Sequence, residues 1–508
     1  MLGCLVAVYL NNILGRRLAL IVTALISITG VLIEMTSAIG PKPQYDQFVA
    51  GKTIASLSMG LAANIVPLYL SETSTAAARG FGINMYQNVQ IIGYIVASAS
   101  VYATTTATAS SSLAFGGNDK LGYLIPMGLQ LLAPTLMLIC TPFLPESPRW
   151  LVWKGRPEDE AIAAAHRLFG TNTNTFDARE YVATIQVMVD MDREREASAP
   201  GWADLLLHRP TLRRTAIAAG IQCLQQAQGS GYMVAYIFSF LTAAGVRDVF
   251  PIMMGLNIVY YLAVLSGHVL PDRFGRRPIL LLTAAACGVG PVLIAILAIA
   301  VVPSTAASED MAVLAIFLWY VFFGIQSPLV WITTAEAAPS RNREKVQAVA
   351  VFLGFGVSLL VAFVSPFIQD PGYGNLGAKI GFIWGTFSWA TALWVFFTVP
   401  EMRGLSLEQL DYLYENRVAT RKFKDYDFTG FDLRNPPPLF DPEYGHQGGH
   451  GQGGGGGGGH HHDNREHVQL TDRSQGGCSD DDVGDQDADL DSRHSSDKNQ
   501  ASVRMHSL

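Results

Sequence analysis

The chain has 508 residues, of which 49% are hydrophobic and only 15% are charged, and its mean hydropathy is +0.25. A chain this apolar is not an ordinary soluble enzyme, so most of it is predicted to lie in lipid. The formal net charge of −7 comes mainly from acidic residues near the C-terminus, whereas the short loops between apolar segments are basic.

Stretches of about 20 apolar residues, the length that crosses a hydrocarbon core as a helix, recur from residue 18 to residue 399. Ten full spans are predicted, at residues 18–40, 48–70, 81–103, 121–144, 215–241, 249–270, 279–302, 313–334, 346–368 and 380–399. The predicted fold class is therefore an all-α membrane protein.

Lys and Arg residues lie on alternate loops, which the positive-inside rule places in the cytoplasm. The opposite loops, such as residues 104–112 and 302–308, are nearly free of basic residues. This pattern puts the C-terminus in the cytoplasm. Residues 145–213, between the two groups of spans, are polar with a helical pattern near 158–169, and we expect a small cytoplasmic helical bundle there.

The tail after about residue 418 is predicted to be disordered, because it is poor in apolar residues and contains a run of glycines at residues 453–459. Its histidines could bind a transition metal, but a solvated linker is the favoured interpretation. The five cysteines have no pairing or metal-ligand spacing. We predict no metal site, no cofactor and no nucleic-acid partner.

Three landmarks recur in the same order in the two halves of the chain, which indicates an internal repeat. The matched sets are Gly15-Arg16-Arg17 with Gly275-Arg276-Arg277, Glu72 and Arg79 with Glu336 and Arg343, and Pro145-Glu146 with Pro400-Glu401. Chance similarity does not easily give three ordered matches.

Three longer signatures contain these landmarks: residues 67–72 followed by Arg79-Gly80, residues 145–150, and residues 272–277. With them, the chain from residue 3 to about residue 415 resembles the sugar porters of the major facilitator superfamily, and most of all the fungal-type hexose permeases. The resemblance implies two pseudo-repeated six-helix halves with the solute site at the membrane midplane between them.

This resemblance implies four regions. They are residues 1–144, an N-terminal helical half with partial helix 2 to helix 6; residues 145–213, the cytoplasmic helical linker; residues 214–400, the C-terminal six-helix half; and residues 401–508, the cytoplasmic tail.

The family also implies a charged layer that bridges the two halves when the cytoplasmic side is closed and breaks when that side opens. Its predicted members are Arg16, Arg17, Glu72, Arg79, Glu146, Arg149, Arg276, Arg277, Glu336, Arg343 and Glu401. The alternative is that these charges only anchor helix ends and set topology. Gating is the preferred interpretation, and it requires a network because exposed pairs contribute only about 0–1 kcal/mol each.

The predicted solute site consists of polar and aromatic side chains inside spans, where polar groups are costly and tend to face a cavity. Gln87 matches the family's sugar-contacting glutamine of the fifth helix, Gln225 and Gln226 match the pair of the seventh, and Trp331 matches the aromatic residue of the tenth. Amides and an indole face suit carbohydrates. Helix-to-helix hydrogen bonding of the glutamines and simple packing of Trp331 remain the alternatives.

The predicted pocket is less polar than is usual in this family. Gly231, Gly354 and Ser358 occupy positions where these porters carry asparagines. Either other side chains compensate, or the solute is larger or less hydroxylated than glucose, because each buried group left unpaired costs about 1–3 kcal/mol. The candidates for compensation are Ser230, Tyr236, Asn257 and Gln326.

In the family, a first helix and a full second helix precede the first Gly-Arg-Arg loop, but here only residues 1–10 stand before that region. Ten residues cannot span about 30 Å as a helix, so an incomplete gene model is our preferred explanation. Proton-coupled members pair a first-helix aspartate with a fourth-helix arginine, whose position is Lys52 here. Lys52 fits either coupling or structural pairing, and Glu34 is expected at the outer interface.

These observations favour a plasma-membrane permease for a sugar or polyol that works by alternating access, either by proton symport or by facilitated diffusion. The alternative is a nutrient sensor that signals through its long cytoplasmic tail. A membrane enzyme is not predicted, because no nucleophile, metal cluster or phosphate-binding loop is present. The oligomeric state is left open.

Overall fold

The computed structural model describes residues 1–39, 44–74, 79–109, 120–170, 176–198, 201–233, 249–300, 306–339, 342–370, 372–405, 407–424 and 426. These residues are almost entirely helical. In the first half the helices are α1 (Leu2–Ile39), α2 (Tyr45–Thr73), α3 (Arg79–Ala109), α4 (Lys120–Leu129) and α5 (Leu132–Cys140). The linker contains α6 (Pro148–Trp153), α7 (Glu158–Phe169), α8 (Ala178–Ser198) and α9 (Asp204–Leu207).

The second half begins with α10 (Arg209–Gln225), which continues as a π-helical turn at Gln226–Ser230. It goes on with α11 (Val249–Leu265), α12 (Leu270–Phe274), α13 (Arg276–Ala300), α14 (Ala306–Ala337), α15 (Arg343–Gln369) and α16 (Gly381–Thr398), and α17 (Leu407–Glu415) follows.

Within the described residues, eight helical stretches are long and apolar enough to cross a membrane. They match eight of the ten predicted spans. Of the other two, α3 has the required length, but it contains Asn84, Gln87, Asn88 and Gln90, which lower its hydropathy. The predicted span at 215–241 begins within α10 and continues into residues outside the described part of the chain.

The second half has a continuous apolar core, and a further core lies between the halves. Residues of α10, α13, α14, α15, α16 and α17 form the largest buried cluster, with Ile221, Leu280, Leu329 and Val395 fully buried. A smaller cluster joins Cys4, Ala63 and Ile83 of the first half to Trp331 and Val351 of the second. The two halves are therefore in direct contact.

The linker helices α6, α7 and α8 pack around their own small core, which includes Trp150, Ala165 and Val189. The hydroxyl of Ser147 accepts a hydrogen bond from the Trp150 backbone N–H, and a proline follows it, a combination that starts a helix efficiently. The first turn of α7 is acidic and its last turn is basic, which complements the helix dipole.

The chain stays packed for a few residues beyond position 418, near which disorder was predicted to begin, and the predicted disorder of the tail stays a prediction. A 3-10 turn at Thr420–Lys422 leads to Phe423, whose side chain is fully buried against Tyr414, with a ring-centroid distance of 5.0 Å. Burial raises the pKa of Tyr414 to about 12. Phe423 and basic residues of α10 hold this segment in place. The polar composition of the whole tail does not indicate these contacts. Residues 427–508 lie outside the described part.

Candidate functional site

The two predicted Gly-Arg-Arg turns have the same backbone geometry. Gly15 breaks the helical segment α1 with φ 83°, and Gly275 separates α12 from α13 with φ 92°, values that residues with side chains rarely adopt. A Cβ atom at Gly15 would lie 2.6 Å from Glu146 Oε2, and one at Gly275 would lie 2.5 Å from Glu401 Oε2. Both glycines thus permit a turn and the close approach of a carboxylate.

The carboxylates fill these turns by accepting backbone hydrogen bonds. Glu146 accepts from the N–H groups of Arg16, at 2.9 Å, and Arg17, at 3.1 Å. In the second half, Glu401 accepts from Arg276 at 2.9 Å and from Arg277 at 3.1 Å. We refer to the end of the helix bundle that contains these two turns as the basic end.

In each half, one arginine side chain turns inward and binds the matching glutamate. Arg16 donates from Nε and Nη2 to Glu72, at 2.9 Å for both, and Arg276 donates from Nε and Nη2 to Glu336 at 3.2 and 3.0 Å. The two ion pairs are at most 10% exposed. Each arginine also donates from Nη1 to a backbone carbonyl, Asn11 O or Pro271 O. Both pairs join residues of the same half, whereas these residues were predicted to bridge the two halves.

The ion pair that joins the two halves involves Glu344, which the sequence analysis missed. Arg16 Nη2 donates to Glu344 Oε1, so the first-half arginine is bonded to the start of α15. Glu344 follows the predicted Arg343 directly, and its place in the first half is taken by Gly80. A repeat shows the features that the two halves share. It does not indicate Glu344, because only the second half has an acid at this position.

The remaining predicted gating residues have varied surroundings. Arg17 and Arg277 donate from Nη2 to the carbonyls of Pro142 and Phe396, the second bond being 2.7 Å. The charge of Arg149 acts on Glu72 and Glu344. Arg343 is buried at the start of α15, whereas the side chain of Arg79 lies outside the described part of the structure.

Two of the predicted solute residues lie at the interface between the halves. Trp331 of α14 packs edge-on against Tyr86 of α3, with 5.2 Å between ring centroids, and belongs to the same buried cluster as Ile83. Gln87 lies on the same face of α3, four residues after Ile83. Gln87 is buried, and its Oε1 has no hydrogen-bond partner among the described residues.

The predicted glutamine pair lies where α10 passes into its π-helical turn. Gln225 is buried, and Gln226 accepts a hydrogen bond from Ser230 Oγ at 2.9 Å. Tyr236 falls outside the described residues.

The three departures from the family pattern lie at the contact between α10, with its continuation, and α15. A Cβ atom at Gly354 would lie 3.2 Å from Gln222 Cβ, and one at Gly231 would lie 3.0 Å from both oxygens of Ser358. Small residues at these positions allow the helices to approach closely. Packing, as well as polarity, therefore accounts for these residue types.

Among the residues predicted to compensate for the missing asparagines, the described ones differ in whether their hydrogen-bonding groups already have partners. Asn257 donates to Ser98 Oγ at 2.9 Å, and Ser230 is bonded to Gln226. Gln326 is fully buried, and both of its amide atoms have no hydrogen-bond partner in the described structure. Gln326 therefore has the unused hydrogen-bonding capacity that a polar ligand could occupy.

The coupling candidate Lys52 has a partner that the sequence analysis did not pair with it. Lys52 Nζ donates to Glu34 Oε1 at 3.4 Å, with Lys52 53% exposed and Glu34 2% exposed in their side chains. Glu34 is buried against α2 in the part of α1 that is remote from the basic end, and its expected place at the outer interface stays a prediction. This pair fits the structural alternative, and a coupling role for Lys52 stays a prediction.

A cleft with a volume of about 440 Å³ lies at the basic end, lined by residues that include Leu14, Arg17, Glu146 and Glu160. It is separate from Gln87 and Trp331, which are buried. The chemistry and the burial of these side chains indicate the candidate solute site. A solute cavity need not be open in a closed conformation. Within the described residues, no group of three or more His, Cys, Asp and Glu side chains could hold a metal.

The helical bundle, with an equivalent arginine–glutamate cluster in each half and a polar interface between the halves, has the major facilitator fold. The proton:xylose symporter XylE of E. coli, bound to 6-bromo-6-deoxy-D-glucose, has this fold, with a TM-score of 0.69 and 20% sequence identity over 81% of the present chain and 87% of XylE. Residues 1–414 match the model of the family described as sugar (and other) transporter, and the chain belongs to this family.

Fungal proteins are among the relatives of this chain. The chain is 28% identical to the probable glucose transporter rco-3 of Neurospora crassa over 430 residues, which are 82% of this chain and 68% of that protein. It is 29% identical to the high glucose sensor RGT2 of Saccharomyces cerevisiae over 432 residues, which are 83% of this chain but only 54% of the sensor. Both similarities extend over most of the described helices.

Proposed function

We propose that the protein moves a sugar or a related polyol across the plasma membrane by alternating access, with its basic end and C-terminus in the cytoplasm. The observation on which the proposal depends is the unpaired, buried carbonyl oxygen of Gln87, on the face of α3 that packs against Trp331. A sugar hydroxyl can donate to this oxygen, and an indole covers the apolar face of a sugar ring. The names of the fungal relatives support this solute class.

Recognition is proposed to involve Gln87 and Trp331 on one side and Gln225, Gln226 and Gln326 on the other. Gln222 Nε2 of α10 donates to Thr334 Oγ1 of α14 at 3.2 Å. Gln225 lies three residues after Gln222, and Trp331 lies three residues before Thr334. Since both helices rise about 1.5 Å per residue and run antiparallel, Gln225 and Trp331 lie at about the same depth, and Gln326 lies about 7.5 Å further from the basic end. Gln326, whose amide has no partner among the described residues, is proposed to supply polarity that the missing asparagines do not.

The test is uptake of radiolabelled glucose, xylose and a polyol in yeast cells that lack their own hexose permeases. We expect saturable uptake, and Gln87→Ala should raise the KM at least about tenfold, because one hydrogen bond to a buried group is lost. Gln186→Ala, a change on the exposed face of the linker, is the matched control. Saturable uptake with an unchanged KM in the Gln87 variant would contradict the proposed site.

Symport and facilitated diffusion are distinguished by the same cells. Symport predicts that a protonophore abolishes accumulation above the external solute concentration, whereas facilitated diffusion predicts equilibration that the protonophore does not change. If Lys52 takes part in coupling, Lys52→Gln should remove the accumulation while solute exchange continues. If it only pairs with Glu34, the variant should lower the amount of folded protein without changing the mode of transport.

A nutrient sensor is the second proposal, supported by the similarity to RGT2 and by the long tail after residue 426. A sensor binds solute without net flux. Solute-dependent induction of a hexose-permease reporter, together with no uptake by a chain that reaches the plasma membrane, would establish this alternative. Uptake without induction would exclude it.

A further inference from the structure

Arg16 and Arg276 occupy equivalent positions in the two halves, and their partners differ in one acidic residue. Each binds a glutamate of its own half, and each donates to the carbonyl of the residue five positions earlier. Arg276 has a further acid from its own half, Asp272, at 3.3 Å. Arg16 has instead Glu344, which belongs to the other half.

Two substitutions within the repeat explain this exchange. Asn12 stands at the position of Asp272, so the first half has no acid of its own there. Gly80 stands at the position of Glu344, and it does lie near the opposite arginine: a Cβ atom on Gly80 would be 3.8 Å from Arg276 Nη2 and from Asp272 Oδ1. The contact at these two equivalent positions is thus present twice, but only the copy at Glu344 has an acid.

We propose that Glu344 is a positioning residue for alternating access, because it supplies from the second half the acid that Arg16 lacks in its own. Arg276 keeps Glu336 and Asp272 whether the halves are together or apart. Arg16 has its full set of partners only while the basic end is closed. The bridge between Arg16 and Glu344 therefore favours the closed form, and the proposal rests on the proposed transport function.

Burial affects this bridge in two opposing ways, because it removes both charges from water and also reduces the screening of their attraction. The side chains of Arg16 and Glu344 are 5% and 16% exposed, so water screens their attraction less than that of a surface pair. Arg149 adds a second positive charge near Glu72 and Glu344, two of the three acids around Arg16. A bridge of this kind between two conformations shifts their ratio by about 5- to 150-fold.

Hydrogen–deuterium exchange of the purified full chain in lipid nanodiscs tests the proposal without added solute. Glu344→Gln should speed exchange at least about fivefold in peptides that cover residues 9–20, 268–280 and 342–352. Asp272→Asn, which makes the second half resemble the first, is the matched control and should change these rates less than twofold.

A second variant separates bridging from simple neutralisation of Arg16. Asn12→Asp combined with Glu344→Gln gives Arg16 an acid within its own half, so folding should be kept while exchange at the basic end stays fast. Wild-type protection in this double variant, or in a folded Glu344→Gln variant, would overturn the proposal. If Glu344→Gln does not fold, Asn12→Asp alone is decisive: it should speed exchange, because Arg16 then no longer needs Glu344.

Because exchange is measured without solute, its outcome is independent of what the protein moves. A chain that shows the expected exchange but no uptake would contradict the proposed transport and leave the bridge in place. A chain that takes up solute but shows unchanged exchange would contradict the proposed bridge and leave the proposed transport in place.

Discussion

Gly15 and Gly275 show how a single backbone position determines the geometry of a whole charged cluster. In each case the positive φ turns the chain so that two successive N–H groups face a carboxylate from the end of the same half. The arginine side chain then points to the glutamate of a neighbouring helix. The motif is specific because the turn leaves no space for a Cβ atom.

Replacing Gly275 with alanine should destabilise the protein more than the same change at Gly404. Both residues have positive φ, which costs about 1–2 kcal/mol with a side chain, but only Gly275 also faces a carboxylate, Glu401, whereas Gly404 has no atom within 4 Å of its Cβ position. Thermal unfolding in detergent measures the difference. Equal losses for the two variants would show that the carboxylate moves aside freely.

Gln326 and Gln228 are both buried amides, but their surroundings differ. Gln228 donates to Thr391 Oγ1 at 3.1 Å and accepts from Ser388 Oγ at 3.5 Å, whereas Gln326 has no partner among the described residues. Gln326→Leu should raise the unfolding free energy by about 1 kcal/mol, because an unpaired buried amide is removed, and should raise the KM for solute. Gln228→Leu should lower stability. Stable protein with an unchanged KM in the Gln326 variant would exclude it from the solute site.

At the scale of the element, α17 and the segment after it belong to the folded second half. Arg213 of α10 donates to Val418 O at 3.1 Å and to Thr420 Oγ1 at 2.7 Å, and its guanidinium lies over the rings of Tyr414 and Phe423. Arg214 forms an ion pair with Asp411. Basic residues that the sequence assigned to topology therefore also hold the C-terminal segment.

Phe423→Ala should lower the unfolding free energy by about 3 kcal/mol, because a fully buried aromatic side chain is removed from the core of the second half. Phe397→Ala, at a position that is 62% exposed in the bundle, is the control and should have a much smaller effect. The measurement is the thermal midpoint in detergent. Equal thermal midpoints for the two variants would mean that packing of the segment after α17 does not stabilise the fold.

At the scale of the whole molecule, the basic end is closed by contacts between halves that are otherwise separate pseudo-repeats. Besides Arg16 and Glu344, Asn88 Nδ2 lies 2.6 Å from His268 Nε2, and the ring of Phe81 is 4.5 Å from that of His268. All of these join α1 or α3 to the second half. Opening of the basic end would have to break them together.

Glu336→Gln should slow transport while leaving membrane insertion intact. Glu336 holds Arg276 through two bonds, so its loss leaves a buried arginine with weaker partners at the place where the halves separate. The initial rate of uptake, normalised to surface expression, should fall at least about fivefold. Asp190→Asn, in the exposed pair with Arg193, is the control. Unchanged uptake kinetics would show that the mirrored pairs only anchor helices.

The sequence by itself determined the helical membrane fold, the repeat and most members of the charged clusters. These depend on local properties: the length of apolar segments, the position of basic loops, and glycines and acids at fixed spacing. Each can be recognised without knowing which helices are neighbours in space.

Only the tertiary structure decided which charges bridge the halves, which amides are already paired, and how far the folded chain extends. Glu344 is next to Arg16 although 328 positions separate them, and Phe423 is buried although its surroundings in the sequence are polar. Gly231 and Gly354 lie at close helix contacts, which no residue type reports by itself. Long-range contacts arise from packing of helices that are distant in the chain, and a local pattern contains no record of them.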